Sequence, residues 1–137
     1  RSRPLKRVTR ANTQELGNFV RGMRARNYTN CNQDQPEAID LALREAISNA
    51  WRPEAERKVI VIVSDNPVRS SKRAQTFSDA ASFKGRGGRV SAVFVRTQSS
   101  QGDGAGYMRQ LTEAGGGEFV LASSSFLGSI LLALLKD

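Results

Sequence analysis

The stretch KVIVIVSDNP, residues 58–67, decides the fold of this chain. Its uninterrupted apolar run, Val59 to Val63, predicts a β-strand covered on both faces, as in a parallel sheet between helices. Ser64 and Asp65 follow at the carboxyl end of the strand, which is where open α/β sheets bind their ligands. The stretch therefore predicts an α/β fold with a functional carboxylate at Asp65, although a strand-end aspartate also commonly caps a turn.

The length and composition predict one domain, residues 1–137. The chain has 137 residues, of which 39% are hydrophobic and 25% are charged, as in ordinary globular proteins. Its longest apolar stretch, residues 126–135, is far shorter than the roughly 20 residues of a membrane-spanning helix. We therefore expect no membrane span.

The chain contains no histidine, and its only cysteine is Cys31. The absence of histidine excludes histidine-based catalytic triads and zinc sites built on histidine. The remaining catalytic chemistry is that of carboxylate, lysine and hydroxyl groups or of a metal held by oxygen. A metal-assisted hydrolase built on Asp65 is the enzyme alternative, but without a complete cluster of oxygen ligands we do not expect an enzyme.

The net charge of +8 is concentrated in two regions, residues 1–26 and 69–96. Such regions attract phosphate backbones or acidic partners. Few aromatic residues lie among them, which disfavours the stacking of nucleic-acid bases. A basic surface that binds nucleic acid or another polyanion is therefore the alternative hypothesis, and its candidate residues are Arg3, Lys6, Arg7, Arg10, Lys72 and Arg73.

Helical and strand patterns alternate along the chain. The predicted helices span residues 12–25, 35–51, 70–84, 107–114 and 124–135, and the predicted strands span 58–64, 89–95 and 118–122. In the third helix we expect Ser70 or Ser71 as the cap, with Ala74, Phe77, Ala80 and Ala81 facing inward. Strands that alternate with helices predict parallel pairing through right-handed crossovers, which is a doubly wound sheet.

Two glycine-rich segments invite comparison with phosphate-binding loops. GRGG at residues 85–88 lies between a helix and a strand, whereas phosphate loops lie between a strand and the following helix. GDGAG at residues 102–106 has the correct position but not the spacing of a known fingerprint. We interpret the second segment as part of a flexible loop over residues 97–106.

Four stretches together resemble the carboxy-terminal part of a von Willebrand factor A domain. They are RPLKRVTRANTQELGNFVRGM at 3–23, Tyr28-Thr29-Asn30 followed by AIDLALREAI at 38–47, KVIVIVSDNP at 58–67, and YMRQLTEAGGGEFVLA at 107–122. Each stretch is weakly specific alone, and their order and spacing carry the resemblance.

The resemblance implies a doubly wound, Rossmann-like sheet and a non-enzymatic, adhesion-type module that binds a partner protein at the loops beyond the strand carboxyl ends. It implies a Mg²⁺ (or Mn²⁺ or Ca²⁺) site in which Thr29 supplies a hydroxyl and Asp65 a carboxylate, and in which a partner's carboxylate completes the shell. Oxygen ligands of this kind suit Mg²⁺. The partner-binding residues would be Tyr28, Asn30, Asn66 and Asp103.

The sequence also departs from the family. The Asp-x-Ser-x-Ser motif of the family's first strand does not occur in residues 1–137. In the family that strand lies beside the one predicted at 58–64, whose apolar edge would otherwise be unpaired. We therefore expect a missing N-terminal segment or a second subunit to complete the sheet. Asn66 and Pro67 replace the family's glycine after Asp65, which changes the loop geometry.

Overall fold

A computed structural model describes Gln14, Asn18, residues 38–97, Ser100 and residues 102–122. The helices are α1 (Ile39–Ser48), α2 (Arg73–Gly85, preceded by a 3-10 turn at Ser70–Lys72) and α3 (Gly104–Gly115). The strands are β1 (Lys58–Ser64), β2 (Gly88–Phe94) and β3 (Gly116–Leu121). The predicted helix at 124–135 lies outside the described residues, as does the helix at 12–25 apart from Gln14 and Asn18, which are helical.

The three described strands form one parallel sheet in the order β1-β2-β3. Helix α2 connects β1 to β2, and α3 connects β2 to β3. This arrangement confirms the predicted α/β class with parallel pairing, and it is compatible with a Rossmann-like fold.

The core lies between the sheet and the three described helices. Side chains alternate across a strand, so Ile60 of β1 and Val90, Ala92 and Phe94 of β2 face the same side. All four are buried in one cluster with residues of every described helix: Ile39, Leu43, Ala80, Phe83, Tyr107, Met108 and Leu111. The described helices therefore cover one face of the sheet, as right-handed crossovers in a fixed direction require.

Helix α2 buries only part of the predicted face: Ala80 is buried and Phe77 packs against the core, as predicted. Thr76, Ala80 and Phe83 are buried, whereas Ala74 and Ala81 are exposed. Because alanine is small and suits both faces of a helix, the apolar pattern misplaced part of the buried stripe. The predicted serine cap is also wrong, since the two serines form the 3-10 turn and the cap of α2 is Lys72 without a side-chain hydrogen bond.

The ends of α1 and α3 also differ from the prediction. Helix α1 ends at Ser48 rather than near residue 51, and the Trp51 indole folds back to donate a hydrogen bond to the Ala46 carbonyl (3.0 Å). Helix α3 begins at Gly104, inside the predicted flexible loop. Strand β3 starts at Gly116, where a φ of 64° provides the left-handed turn out of the helix.

Strand β2 is central among the described strands, and β1 lies at an edge. Six of the seven β2 residues are buried, whereas only Ile60 of β1 is. Val63 of β1 is 42% exposed. The sequence predicts a strand covered on both faces, whereas Val63, on the face opposite to Ile60, is exposed.

Within the part of the chain that the structure describes, no helix has the length and apolar character needed to cross a membrane.

Candidate functional site

The polar turn after β1 fixes the position of Asp65. The Ser64 hydroxyl donates a hydrogen bond to the Asn66 carbonyl (2.8 Å), and the Asn66 amide donates one to the Ser64 hydroxyl (3.3 Å). These two bonds close a local turn of the kind that serine side chains favour. Asp65 lies at the apex of this turn and is partly buried. Its carboxylate is therefore held at the carboxyl edge of the sheet.

The loop after β2 reaches Asp65 from the neighbouring strand. The Thr97 hydroxyl donates a hydrogen bond to Asp65 Oδ2 at 3.0 Å. Lower in the same loops, the Val95 amide donates to the Ser64 carbonyl at 3.0 Å, which continues the β1–β2 ladder beyond the strands. The two loops are thus joined by backbone and side-chain bonds, as adjacent carboxyl ends of parallel strands allow.

Ser100 orients Thr97. Its Oγ accepts a hydrogen bond from the Thr97 amide (2.8 Å) and lies 3.2 Å from the Thr97 hydroxyl oxygen. The Ser100 hydroxyl also lies 3.5 Å from the Val95 carbonyl oxygen. The carboxylate of Asp65 and two hydroxyl groups therefore form one polar cluster, which we call the carboxyl-edge cluster: Asp65, Thr97 and Ser100.

The structure brings some of the predicted site residues together. Asp65 and Asn66 share the turn after β1, whereas Asp103 stands at the N-cap of α3, exposed and 4.0 Å from the Arg73 guanidinium. The predicted Thr29, Tyr28 and Asn30 lie outside the described residues.

Sequence reasoning missed Thr97 and Ser100 as individual site residues. A signal for them was present, because TQSS follows the strand next to β1 and the carboxyl ends of parallel strands meet at one edge. The loops beyond the strand carboxyl ends were predicted as the binding surface, but the hydroxyl residues of the loop after β2 were not paired with Asp65.

The carboxyl-edge cluster supplies a partial set of oxygen ligands for a cation. No group of three or more His, Cys, Asp or Glu side chains is arranged for a metal within the described residues. Mg²⁺ binds through one or two carboxylates together with waters and other oxygens, and hydroxyl groups complete such a shell. Asp65 with neighbouring hydroxyls fits the donor chemistry but needs ligands from elsewhere.

Arg73, a predicted polyanion ligand, is partly buried. Its guanidinium carbon lies 5.4 Å from the centre of the Tyr107 ring, in addition to its contact with Asp103. Tyr107 donates a hydrogen bond to Thr76 Oγ1 (3.0 Å). Burial raises the pKa of Tyr107 above its ordinary value of 10.0, although the bond to Thr76 and the charge of Arg73 act in the opposite direction.

Lys72, next to Arg73 in the chain, is the other residue of the predicted polyanion surface that the structure describes. Lys72 is exposed in the 3-10 turn before α2. The four remaining residues lie outside the described part of the chain: Arg3, Lys6, Arg7 and Arg10. The alternative polyanion hypothesis therefore has one exposed cation, Lys72, in the described part of this surface.

Comparison of the chain with protein-family models, with curated proteins and with solved structures found no match. What the carboxyl edge can bind therefore follows from its own chemistry, which is that of one carboxylate and two hydroxyls on adjacent loops at the end of a parallel sheet.

Proposed function

We propose that this chain is a protein-interaction module of the von Willebrand factor A type, which binds a partner protein at the loops beyond the carboxyl ends of β1 and β2. The observation that carries the proposal is the hydrogen bond from Thr97 to Asp65 Oδ2 (3.0 Å). It joins two loops at the edge where open α/β sheets bind their ligands. Asn66 and Asp103, on the same two loops, would contribute to the contact with the partner.

In this proposal the partner binds through a divalent cation. Asp65 and Thr29 would be two of the oxygen ligands of a Mg²⁺ ion, and a carboxylate of the partner would be another. Residues outside this chain, equivalent to the family's Asp-x-Ser-x-Ser segment, would complete the shell. The hydrogen bond from Thr97 supports this role, because carboxylates that ligate metals are held in place by such outer contacts.

The metal-dependent part is tested with Mn²⁺, whose unpaired electrons broaden the NMR signals of nearby nuclei. We expect Mn²⁺ to broaden the backbone amide signals of Asn66 and Thr97 before those elsewhere, and excess Mg²⁺ to reverse the effect. An Asp65→Asn variant should lose this selective broadening. The matched control is Glu113→Gln, which removes an exposed carboxylate near the opposite end of α3 and should change nothing. Equal broadening in the Asp65→Asn variant and the unmodified chain would refute a cation site at Asp65.

We further propose that a strand from earlier in the same polypeptide lies parallel to β1, on the side where no described strand pairs with it. Helix α1 precedes β1 and lies on the same face as α2 and α3. Because parallel crossovers are right-handed, a strand that leads into a helix on this face belongs on the side of β1 away from β2.

The groove between α1 and β1 has an apolar lining that suits the inward-facing side chains of such a strand. It has a volume of about 450 Å³ and is lined by apolar residues of both elements: Ala38, Ile39, Ala42, Leu43, Ala46, Ile60, Val61, Ile62 and Val63, with Ser64 at the end. An added strand would pair with the backbone of β1 and place alternate side chains under α1.

Hydrogen exchange of the β1 amides tests this arrangement. A chain extended upstream by its coding sequence should protect the β1 amides at least about tenfold more than residues 1–137 alone, because paired amides exchange only on opening. Protection that rises with the concentration of the unextended chain would assign the groove to a second copy instead. Unchanged protection in both experiments would contradict the completion of the sheet at β1.

A further inference from the structure

We propose that the amino-terminal edge of the sheet carries a second binding site, which binds the phosphate groups of an anionic ligand. A cleft of about 230 Å³ opens there, between the start of β1 and the turn into β2. We call it the basic cleft, and its lining consists of Glu56, Arg57, Lys58, Val59, Gly87 and Arg89.

The strand register places the two arginines on one face of the sheet. Val59 of β1 is the direct partner of Arg89 on β2, and adjacent partners in a sheet point to the same side. Arg57 lies two residues before Val59 and shares its side, because side chains alternate along an extended backbone. This is the side opposite to Ile60 and the helices. Arg57 therefore precedes Val59 in the same segment, Arg89 lies beside Val59 on β2, and both arginines line the basic cleft.

The charge of the basic cleft favours an anion. Three cations, Arg57, Lys58 and Arg89, line it together with one carboxylate, Glu56. Lys58 and Arg89 are fixed by the β1–β2 register and Arg57 directly precedes β1, so the fold collects the three charges at the amino-terminal edge of the sheet. Bringing three like charges together raises the local attraction for anions.

Phosphate is the anion that this geometry fits. Each guanidinium presents a planar fork of donors that matches two oxygens of a phosphate group. A carboxylate has only two oxygens, whereas the oxygens of a phosphate chain can meet the guanidinium groups of Arg57 and Arg89 together, and Lys58 at the same end of β1 adds to the positive charge. The volume of about 230 Å³ suits a short phosphate chain, such as a diphosphate or triphosphate.

The basic cleft is separate from the carboxyl-edge cluster. Strand β1 has 7 residues, and Arg57 and Asp65 lie beyond its opposite ends. At about 3.3 Å per residue the two sites are more than about 20 Å apart. Binding at one site is therefore measurable without occupancy of the other.

The test is a calorimetric titration of the 137-residue chain with inorganic tripolyphosphate at low salt. The cleft variant carries Arg57→Gln and Arg89→Gln, and the control variant carries Arg69→Gln and Lys72→Gln near the start of α2. Both variants lose the same charge. We expect the cleft variant to bind tripolyphosphate at least about tenfold more weakly, which corresponds to the loss of charged hydrogen bonds, and the control variant to change by less than about twofold. Equal weakening in both variants, or no binding at low salt, would overturn the proposal.

Two further measurements test whether tripolyphosphate binds at the basic cleft and not elsewhere on the chain. In an NMR titration of the unmodified chain, tripolyphosphate should shift the amide signals of Val59 and Gly87 but not that of Asn66. This measurement does not depend on the folding of a variant, and equal shifts at both edges would contradict a localised site. A nucleoside triphosphate should bind in the same place. If a single-stranded oligonucleotide binds and tripolyphosphate does not, the basic residues bind a nucleic-acid backbone and the proposed phosphate site is overturned.

Discussion

Replacing Gly88 by alanine tests how closely the start of β2 is packed against α2. A Cβ atom at Gly88 would lie 2.3 Å from Phe83 Cε1, 2.5 Å from Cδ1 and 2.6 Å from Cζ. These are distances that packed carbon atoms do not tolerate, since carbon pairs are most stable at about 3.5–4.0 Å. Either the ring of Phe83 or the β2 backbone has to move.

The Phe83 ring has little room to move. It is buried, and its centre lies 5.2 Å from that of the Trp51 ring, which is itself held by the hydrogen bond to Ala46. Overpacking a core position by one methyl group costs about 1–3 kcal/mol. Because the overlap is with three ring atoms at once, we expect Gly88→Ala to lower the free energy of unfolding by about 2–3 kcal/mol.

Gly85→Ala is the matched control, because it adds the same methyl group three residues earlier. A Cβ at Gly85 meets no atom within 4 Å, and the residue is the last one of α2. A glycine-to-alanine change without strain stabilises a protein by about 0.4–1 kcal/mol, since the unfolded chain loses freedom. The two substitutions should therefore change stability in opposite directions.

Urea denaturation followed by circular dichroism measures both effects. A double variant with Phe83→Leu and Gly88→Ala should be less destabilised than the sum of its two single variants, since a smaller side chain makes room for the new methyl group. If Gly88→Ala and Gly85→Ala have the same effect, or if the double variant shows simple additivity, the packing of β2 on Phe83 is not as described.

Three further predictions concern the site, the core and the sheet edge. Thr97→Val should weaken Mn²⁺ binding at least about tenfold if Asp65 is a ligand, because outer contacts of metal ligands carry effects of that size; undiminished affinity in a fluorescence or NMR titration would contradict the role of Thr97. Tyr107→Phe should lower stability by about 1 kcal/mol at neutral pH, where the hydroxyl bond is present. The pKa of Tyr107 is raised in the folded state, so the stabilising contribution of its protonated hydroxyl is complete below the unfolded pKa of 10.0 and is lost as the pH rises through the folded pKa. The free energies of unfolding of the Tyr107→Phe variant and the unmodified chain should therefore converge at alkaline pH. A difference that stays constant with pH would refute the Tyr107 hydroxyl as its cause. Val63→Lys should reduce concentration-dependent self-association of the chain in light scattering, because a charge on an exposed strand edge opposes pairing; unchanged association would show that the β1 edge is not involved.

The sequence was most informative about the strands. The runs of β-branched residues in β1 and β2 favour an extended conformation. The alternation of these runs with helical segments predicted the parallel sheet that the structure has. Strand β1 lies at an edge among the described strands, and the expected neighbouring strand stays a prediction. The parallel pairing of strands that are far apart in the chain could be predicted from local patterns, because crossovers in α/β sheets have one handedness.

Glycine and alanine were the main sources of error. Gly104 and Gly106 were interpreted as flexible loop residues, yet both lie in α3. Gly104 packs against the Phe94 ring of β2. A Cβ atom at this position would lie 2.8 Å from Phe94 Cε2, so the close packing requires a glycine. Tertiary contact, which a local pattern does not contain, decided the conformation of this segment.

The glycine run at the end of α3 has a similar explanation. A Cβ at Gly117 would lie 2.2 Å from the carbonyl oxygen of Val90, and one at Gly115 would lie 2.6 Å from Val90 Cβ. These glycines allow the chain to pass directly from α3 into β3 beside β2. The pattern alone suggested a helix stop, but it carried no information about the neighbouring backbone that makes small residues necessary.

The candidate site was harder to predict because it depends on two loops that are far apart in the chain. Asp65 was identified from its place after an apolar strand, whereas Thr97 lies 32 residues later and meets Asp65 only through the parallel register of β1 and β2. A parallel sheet places all its carboxyl ends at one edge and all its amino ends at the other. The same register therefore collects a carboxylate and hydroxyls at one edge and Arg57, Lys58 and Arg89 at the other. A substitution that shifts the β1–β2 register should disturb both edges at once, whereas Asp65→Asn and the paired arginine changes should each affect one edge only.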